Sequence, residues 1–221
     1  MADYPQLHEQ RRAVRRVIRH LKHIIRLQSD GRFKCHDRLK EIPSLHSLKL
    51  VAIGGFAVRS LLPVPRPTMD VDLMVDLYPT GDELPKLPNG LAQALKALLI
   101  FQYPEIYSQD GDYFRVKIQS TPALRIRVDF VLSALLPFVP RAAHHVLTIP
   151  TNHIPLSSIS DLLAQKVYCC SLRPWLDKSF QDVADAERLA THLGPLVYGC
   201  QSAWLVVVKI SFVFILLLVF T

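Results

Sequence analysis

Three aspartates stand in otherwise apolar segments of the chain. Asp70 and Asp72 lie at positions i and i+2 of segment 69–75, and Asp129 lies in the middle of segment 125–132. Side chains two residues apart share one face of a strand, so the carboxylates of Asp70 and Asp72 repel each other there. A divalent cation relieves that repulsion, and oxygen-only ligands favour Mg²⁺ or Mn²⁺. If segment 125–132 is a neighbouring strand, three carboxylates can hold two ions for phosphoryl transfer, with Asp129 as a ligand and also the base for an attacking hydroxyl.

A glycine pair precedes these aspartates. Gly54 and Gly55 follow the apolar strand predicted over residues 48–53 and open a short helix predicted over residues 56–62. Backbone N–H groups at such a helix start can approach phosphate oxygens closely, and the helix dipole favours the anion. An extended connector with three prolines then leads to the strand predicted over residues 69–77. We therefore predict a phosphate cradle beside the metal site.

Single parts of this pattern have other interpretations. An Asp-x-Asp pair alone also fits a solvated strand edge or a calcium loop, and a Gly-Gly pair alone fits many turns. Lys166, on an apolar helix, can extend its ammonium group to water instead of binding phosphate. The histidines at 144, 145 and 153 are interpreted as surface or core residues in a proline-rich stretch and not as metal ligands.

The remaining periodicities predict a mixture of helices and strands. Residues 6–29, 91–101, 161–172 and 180–193 have helical patterns, and residues 113–119 and 125–132 alternate as half-buried strands. Helix 6–29 is basic: residues 1–50 contain 12 Lys and Arg against 5 Asp and Glu, while the rest of the chain is neutral. This helix can bind RNA phosphates, lie on an anionic membrane, or pack on the core through its apolar stripe with a solvated cationic face.

The location of the chain is predicted from its cysteines and its ends. Its four cysteines form no Cys-x-x-Cys pair, and residues 1–26 contain no apolar leader, so we expect reduced thiols and an intracellular, cytoplasmic protein. Residues 203–221 contain a single charge, Lys209, and 14 Leu, Val, Ile or Phe. This tail predicts a possible transmembrane anchor, with a buried final helix or an atypical terminus as alternatives.

Taken in order, these motifs resemble a known superfamily. Gly54-Gly55, then 70–73 (Asp-Val-Asp-Leu), then Asp129 resemble the signature of DNA polymerase beta-like nucleotidyltransferases. Arg66-Pro67-Thr68, segment 161–166, Arg173 and segment 178–182 resemble the AbiEii-type members. The resemblance covers residues 48–190.

The resemblance implies an α+β nucleotidyltransferase fold, with a small mixed β-sheet flanked by helices and a helical C-terminal part. It also implies Mg²⁺, an NTP donor and transfer of a nucleoside monophosphate, in some members to RNA. By position, Lys166 and Lys178 would lie near the donor phosphates, and Asp182 would orient the site. The nucleotide-binding residues expected on this basis are Gly54, Gly55, Arg66, Thr68, Lys166, Lys178 and Asp182.

We therefore expect a two-metal nucleotidyltransferase that uses Mg²⁺ or Mn²⁺, with RNA or protein as the hydroxyl acceptor. The alternative is a non-catalytic nucleotide- or RNA-binding module with a degenerate form of the same fold. The expected division of the chain is a basic helix and loop over 1–47, a catalytic core over 48–140, a helical part over 141–197 and the hydrophobic tail over 203–221.

Overall fold

The structure is a computed structural model, and it describes residues 4–32, 45–63, 66–77, 90–118, 124–172 and 176–194. These ranges contain both helices and strands, as the sequence predicts for an α+β protein. The helices are α1 (Leu7–Ser29), α2 (Gly54–Leu61), α3 (Gly90–Gln102), α4 (Ile159–Leu172) and α5 (Leu176–Leu193). The strands are β1 (Leu48–Ile53), β2 (Asp70–Leu77), β3 (Tyr107–Asp110), β4 (Tyr113–Lys117), β5 (Arg125–Leu132) and β6 (His144–His145).

The six strands form one mixed sheet in the order β3-β4-β5-β2-β1-β6. Strands β2 and β5 pair in parallel, and the other neighbours pair antiparallel. A mixed sheet flanked by helices is the predicted fold class, which is confirmed.

The register of the parallel pair brings the predicted carboxylates together. Asp72 lies opposite Asp129, and Asp70 lies opposite Arg127. Because alternate residues share a face, all four side chains emerge on the same side of the sheet. The other side of β2 presents Val71, Leu73 and Val75, which are fully buried.

Helices α1 and α3 cover that apolar side. The buried residues of α1 recur at helical spacing, and they pack with the valines and leucines of β2 in the main core. The members of this stripe are Ala13, Val14, Val17, Ile18, Leu21, Ile24 and Ile25. Of the three interpretations of the basic helix, its packing on the core is therefore confirmed. The apolar side of α1, which would have to insert into a membrane, is buried against the sheet.

Helices α4 and α5 form the C-terminal part and pack on α2. The small cluster that joins them consists of Ala57, Val58, Leu62, Leu162 and Leu189, all buried. Helix α2 therefore connects the sheet on one side with the α4–α5 pair on the other. The two helices begin two to four residues earlier than the patterns predict, at Ile159 and Leu176.

Two strands are absent from the sequence prediction. Strand β3 forms an antiparallel hairpin with β4, and only its first residue, Tyr107, is buried, with its ring stacked on Phe114 at 5.4 Å between centroids. A strand with one buried residue has no alternation to detect. Strand β6 has two exposed residues paired with the edge of β1.

Several predicted segments lie outside the described residues. They are most of the basic loop over 31–47, Arg173 and the hydrophobic tail over 203–221. Within the ranges that the structure describes, no helix combines the length and apolarity needed to cross a bilayer.

Candidate active site

The three predicted aspartates converge at the junction of β2 and β5. Asp70, Asp72 and Asp129 each offer a carboxylate oxygen, and these oxygens lie within 4.8 Å of one another. The side chains of Asp70 and Asp129 remain 26% and 22% exposed, so the cluster opens to solvent and is accessible to a substrate. In the described part of the chain this is the one group of three or more acidic, cysteine or histidine side chains close enough to hold a metal ion.

Gly54 makes room for one of these carboxylates. It has a left-handed backbone, with φ of +64°, and a Cβ atom built there would lie 2.1 Å from Oδ2 of Asp72. A side chain at position 54 would therefore displace Asp72, and only glycine adopts this backbone conformation easily. The N-cap residue of α2 makes no side-chain hydrogen bond to the helix. The N-terminus of α2, which is the positive end of the helix dipole, lies against the Asp72 carboxylate.

Thr68 and Gln10 fix the start of β2. The Thr68 hydroxyl donates to Oδ1 of Asp70 at 2.9 Å, and the Gln10 amide nitrogen donates to the Thr68 carbonyl oxygen at 3.0 Å. Both side chains are almost fully buried. Thr68 also lies against Gly55, since a Cβ there would be 3.0 Å from the Thr68 hydroxyl oxygen. Sequence analysis missed Gln10, whose signal is a polar residue in the middle of the buried stripe of α1.

Arg127 is a second residue that sequence analysis missed. One of its terminal nitrogens lies 2.6 Å from Oδ2 of Asp129, and the other lies 4.0 Å from Oδ2 of Asp70. The guanidinium carbon also lies 4.3 Å from the centre of the Tyr113 ring, within range of a cation–π contact. Its sequence signal is its position two residues before Asp129, which puts it on the same face of β5.

A buried ionic cluster lies between the active-site connector and the C-terminal helices. Nζ of Lys166 lies 2.5 Å from Asp182 and 3.0 Å from Asp185, and Arg66 contacts both oxygens of Asp185 at 2.8 and 2.9 Å. Lys166, Asp182 and Asp185 are between 0 and 7% exposed. The sequence identified all of these residues except Asp185, whose acidic side chain in an amphipathic helix looks like an ordinary solvated residue.

Asp185 is ionised in this cluster. Burial raises its pKa, but the hydrogen bonds from Arg66 and the charge of Lys166 outweigh burial, so the net pKa is lower than that of a free aspartate. The Arg66 guanidinium also approaches Gly55, at 3.4 Å from a Cβ built there. The cluster is therefore connected to the carboxylates through Arg66, Gly55 and Thr68.

The predicted phosphate-binding residues have different surroundings. Gly54, Gly55 and Thr68 directly border the carboxylates, and Arg66 lies next to them. Lys166 and Asp182 are buried against each other, whereas Lys178 is exposed near the start of α5. The histidines at 144 and 153 contact each other with ring centres 6.4 Å apart.

The residues fit a divalent cation. Three carboxylates with oxygens within 4.8 Å are hard, oxygen-only ligands of the kind that Mg²⁺ and Mn²⁺ prefer. The space that Gly54 leaves beside Asp72 keeps that carboxylate within the cluster. Asp70, Asp72 and Asp129 are therefore suited to holding such an ion.

Comparison with known proteins identifies one family. Residues 39–197 match the model of the family described as "Nucleotidyl transferase AbiEii toxin, Type IV TA system". The matched part contains the carboxylates, the glycine pair and the ionic cluster. No curated protein sequence matches the chain significantly.

Among solved structures, an antigenic nucleotidyltransferase-like protein from Paracoccidioides brasiliensis superposes with a TM-score of 0.48 at 17% identity. That alignment covers 91% of this chain and 93% of the other. The protein ANT(2″)-Ia, solved in complex with adenylyl-2″-tobramycin, superposes with a TM-score of 0.36 at 16% identity. Its alignment covers 89% of this chain and 96% of the other.

Proposed function

The chain belongs to the AbiEii family of nucleotidyl transferases, and we propose that it transfers a nucleoside monophosphate from an NTP to a hydroxyl acceptor on RNA or protein. The observation that carries this proposal is the convergence of three carboxylates within 4.8 Å beside a helix start opened by Gly54. This constellation suits a reaction whose main demands are positioning and charge stabilisation at a phosphoryl group.

In the proposed reaction, Asp70, Asp72 and Asp129 hold Mg²⁺ or Mn²⁺. When bound, a pair of such ions polarises the α-phosphoryl group and offsets the negative charge that develops on the leaving pyrophosphate. The acceptor oxygen forms a bond to the α-phosphorus while the bond to the β,γ-pyrophosphate breaks. The acceptor proton passes to Asp129, and pyrophosphate leaves.

Other residues of the chain bind and orient the donor. The backbone at Gly54 and Gly55 faces the phosphates from the N-terminus of α2, where partial positive charge favours an anion. Thr68 holds Asp70 in position through its 2.9 Å hydrogen bond. Arg66 contributes positive charge next to Gly55, and Lys178 offers an exposed ammonium group to the phosphates.

Lys166 and Asp182 have a supporting role in this scheme. Their 2.5 Å contact buries both charges, so Lys166 acts on the donor through the Arg66–Asp185 pair that it touches. We assign Asp182 to orienting Lys166. The ionic cluster thereby fixes the position of Arg66 relative to Gly55.

Label transfer tests this function. Total RNA and total protein are each incubated with the enzyme, Mg²⁺ or Mn²⁺ and each NTP labelled at the α-phosphate. The wild-type enzyme should transfer label to one acceptor class, and the double variant Asp70→Asn/Asp72→Asn should lose at least about 1,000-fold of the rate. Asp76→Asn is the matched control, because Asp76 lies on the same strand outside the triad, where it accepts a hydrogen bond from Ser133. Transfer by the double variant at the wild-type rate would refute the proposal.

A further inference from the structure

The carboxylate cluster contains a positive charge of its own. The guanidinium group of Arg127 lies 2.6 Å from Asp129 and 4.0 Å from Asp70, which is also its neighbour in the β2–β5 register. Its two terminal nitrogens therefore face two of the three side chains suited to binding a divalent cation. The guanidinium partly neutralises a cluster that has three formal negative charges.

Arg127 is also held from a second side. Its guanidinium carbon lies 4.3 Å from the centre of the Tyr113 ring, and its Nε atom is buried with no hydrogen-bond partner in the structure. The side chain as a whole is 39% exposed. If the guanidinium leaves the carboxylates, it can therefore stay in contact with the Tyr113 ring, and the exposed side of Arg127 gives it solvent-filled space in which to move.

We propose that Arg127 is the resident counter-ion of the carboxylate triad and competes with the divalent cation for Asp129 and Asp70. This inference rests on the proposed function and concerns regulation of the same site. An oxygen of Asp129 that is 2.6 Å from a guanidinium nitrogen cannot also ligate a cation without electrostatic repulsion between the two positive charges. Ligation of a cation by that oxygen therefore requires Arg127 to move away from Asp129.

This competition has two consequences. Arg127 stabilises the metal-free site, where three carboxylates would otherwise repel one another, and it raises the cation concentration that the site requires. The displaced guanidinium, still adjacent to the triad, is then available to the phosphate groups of the donor, which its forked geometry suits. The partner of Arg127 thus changes from carboxylate to phosphate.

Mn²⁺ binding without nucleotide tests the competition, because it does not depend on transferase activity. The fraction of free Mn²⁺ is measured by electron paramagnetic resonance with wild type and with Arg127→Met. Removing this unit positive charge from beside the carboxylates should tighten Mn²⁺ binding about tenfold. Arg127→Lys keeps the charge but loses the fork, and should tighten binding by less. Asp129→Asn in the Arg127→Met background should abolish the gain, which assigns it to this site.

Arg115→Met is the matched control. Arg115 lies opposite Arg127 in the β4–β5 register and loses the same charge, but it pairs with Asp110 at 3.3 Å instead of the triad. It should change Mn²⁺ affinity by less than about twofold. Equal or weaker Mn²⁺ binding by Arg127→Met, with Arg127→Lys also at or below the wild-type affinity, would overturn the proposal. Label transfer by the wild type tests the proposed function separately.

Discussion

At the scale of single residues, the site depends on what surrounds each carboxylate. Asp70 accepts a hydrogen bond from Thr68, Asp72 lies in space left by Gly54, and Asp129 is paired with Arg127. Each of these neighbours acts by a different physical means: a hydrogen bond, the absence of a side chain and an opposite charge. Substitution of Thr68, Gly54 or Arg127 should therefore affect the triad differently: by loss of a hydrogen bond, by crowding of Asp72, or by loss of an opposite charge.

Gly54→Ala should cause both backbone strain and displacement of Asp72, and comparison with a second glycine variant separates the two effects. Alanine at a φ of +64° costs about 1–2 kcal/mol of folding stability, and its Cβ would also lie 2.1 Å from the Asp72 carboxylate. We expect transfer activity to fall about 100-fold or more, because displacing a group that orients the reaction by about 1 Å has that effect.

Gly31→Ala is the control for that prediction. Gly31 has the same φ of +64°, but nothing lies within 4 Å of a Cβ built there. It should lose similar stability, measured by urea denaturation, and keep wild-type transfer. Equal activities of the two variants would contradict the assigned role of Gly54.

The sequence predicts the location and role of some of these residues better than those of others. Alternation in β2 and β5 is enough to put Asp70, Asp72 and Asp129 on one side of their strands, but their proximity depends on the parallel pairing, which the sequence does not specify. Arg127 has the same alternation as Asp129, yet its role follows from a distance of 2.6 Å that no spacing rule provides. Asp185 was missed because its partners, Arg66 and Lys166, reach it from distant parts of the chain.

At the scale of elements, the ionic cluster joins three parts of the chain. Arg66 belongs to the connector before β2, Lys166 to α4, and Asp182 and Asp185 to α5. Asp185 is fully buried and contacts both Arg66 and Lys166, so its carboxylate is the centre of the cluster. The connector contains Thr68, whose hydroxyl donates to Asp70 at the start of β2.

Asp185→Asn should destabilise the fold strongly. Removing one charge from a buried ionic network leaves the others uncompensated, and we expect a loss of about 3 kcal/mol in the free energy of unfolding, measured with urea at neutral pH. Asp110→Asn is the matched control: the same substitution breaks an exposed pair with Arg115 and should cost less than about 1 kcal/mol. Similar losses in both variants would contradict the central place of Asp185.

The same comparison has a pH dependence with a defined sign. The pKa of Asp185 is lower in the folded state than its ordinary value of 3.8, so its ionised form stabilises the fold above that pH. The stabilisation is lost as the pH falls through the folded-state pKa. The difference in stability between wild type and Asp185→Asn should therefore shrink below about pH 3.8. A difference that stays constant from neutral to acidic pH would show that folding does not lower the pKa of Asp185.

At the scale of the whole molecule, α1 joins the first part of the chain to the sheet by polar as well as apolar contacts. Arg16 donates to the Lys117 carbonyl oxygen at 2.7 Å, and a ring nitrogen of His20 lies 2.8 Å from the Tyr107 hydroxyl. The His20 ring also stacks on Tyr103, with centroids 3.8 Å apart. These contacts couple the basic helix to the β3–β4 hairpin.

His20 should make the folded protein sensitive to acid. Burial and the charges of Arg16 and Arg19 lower its pKa from 6.5 to about 4. Between these values the unfolded chain takes up the proton and the folded protein does not, so stability falls as the pH falls from 6.5 towards 4.

His20→Gln should flatten this part of the pH profile, measured as the midpoint of thermal unfolding. His23→Gln, one turn away on the exposed side of α1, should keep the slope because His20 is still present. An unchanged slope in His20→Gln would assign the acid sensitivity to other groups.

A paired label experiment tests whether the protein transfers a nucleoside monophosphate at the carboxylate triad. Parallel reactions contain the enzyme, Mg²⁺ or Mn²⁺ and the acceptor fraction, with the NTP labelled at either the α- or the γ-phosphate. The wild-type enzyme should place the α-label on the acceptor and release the γ-label as pyrophosphate, and folded Asp129→Asn should do neither. Appearance of the γ-label on the acceptor, or equal α-label transfer by Asp129→Asn, would contradict nucleoside monophosphate transfer at the triad.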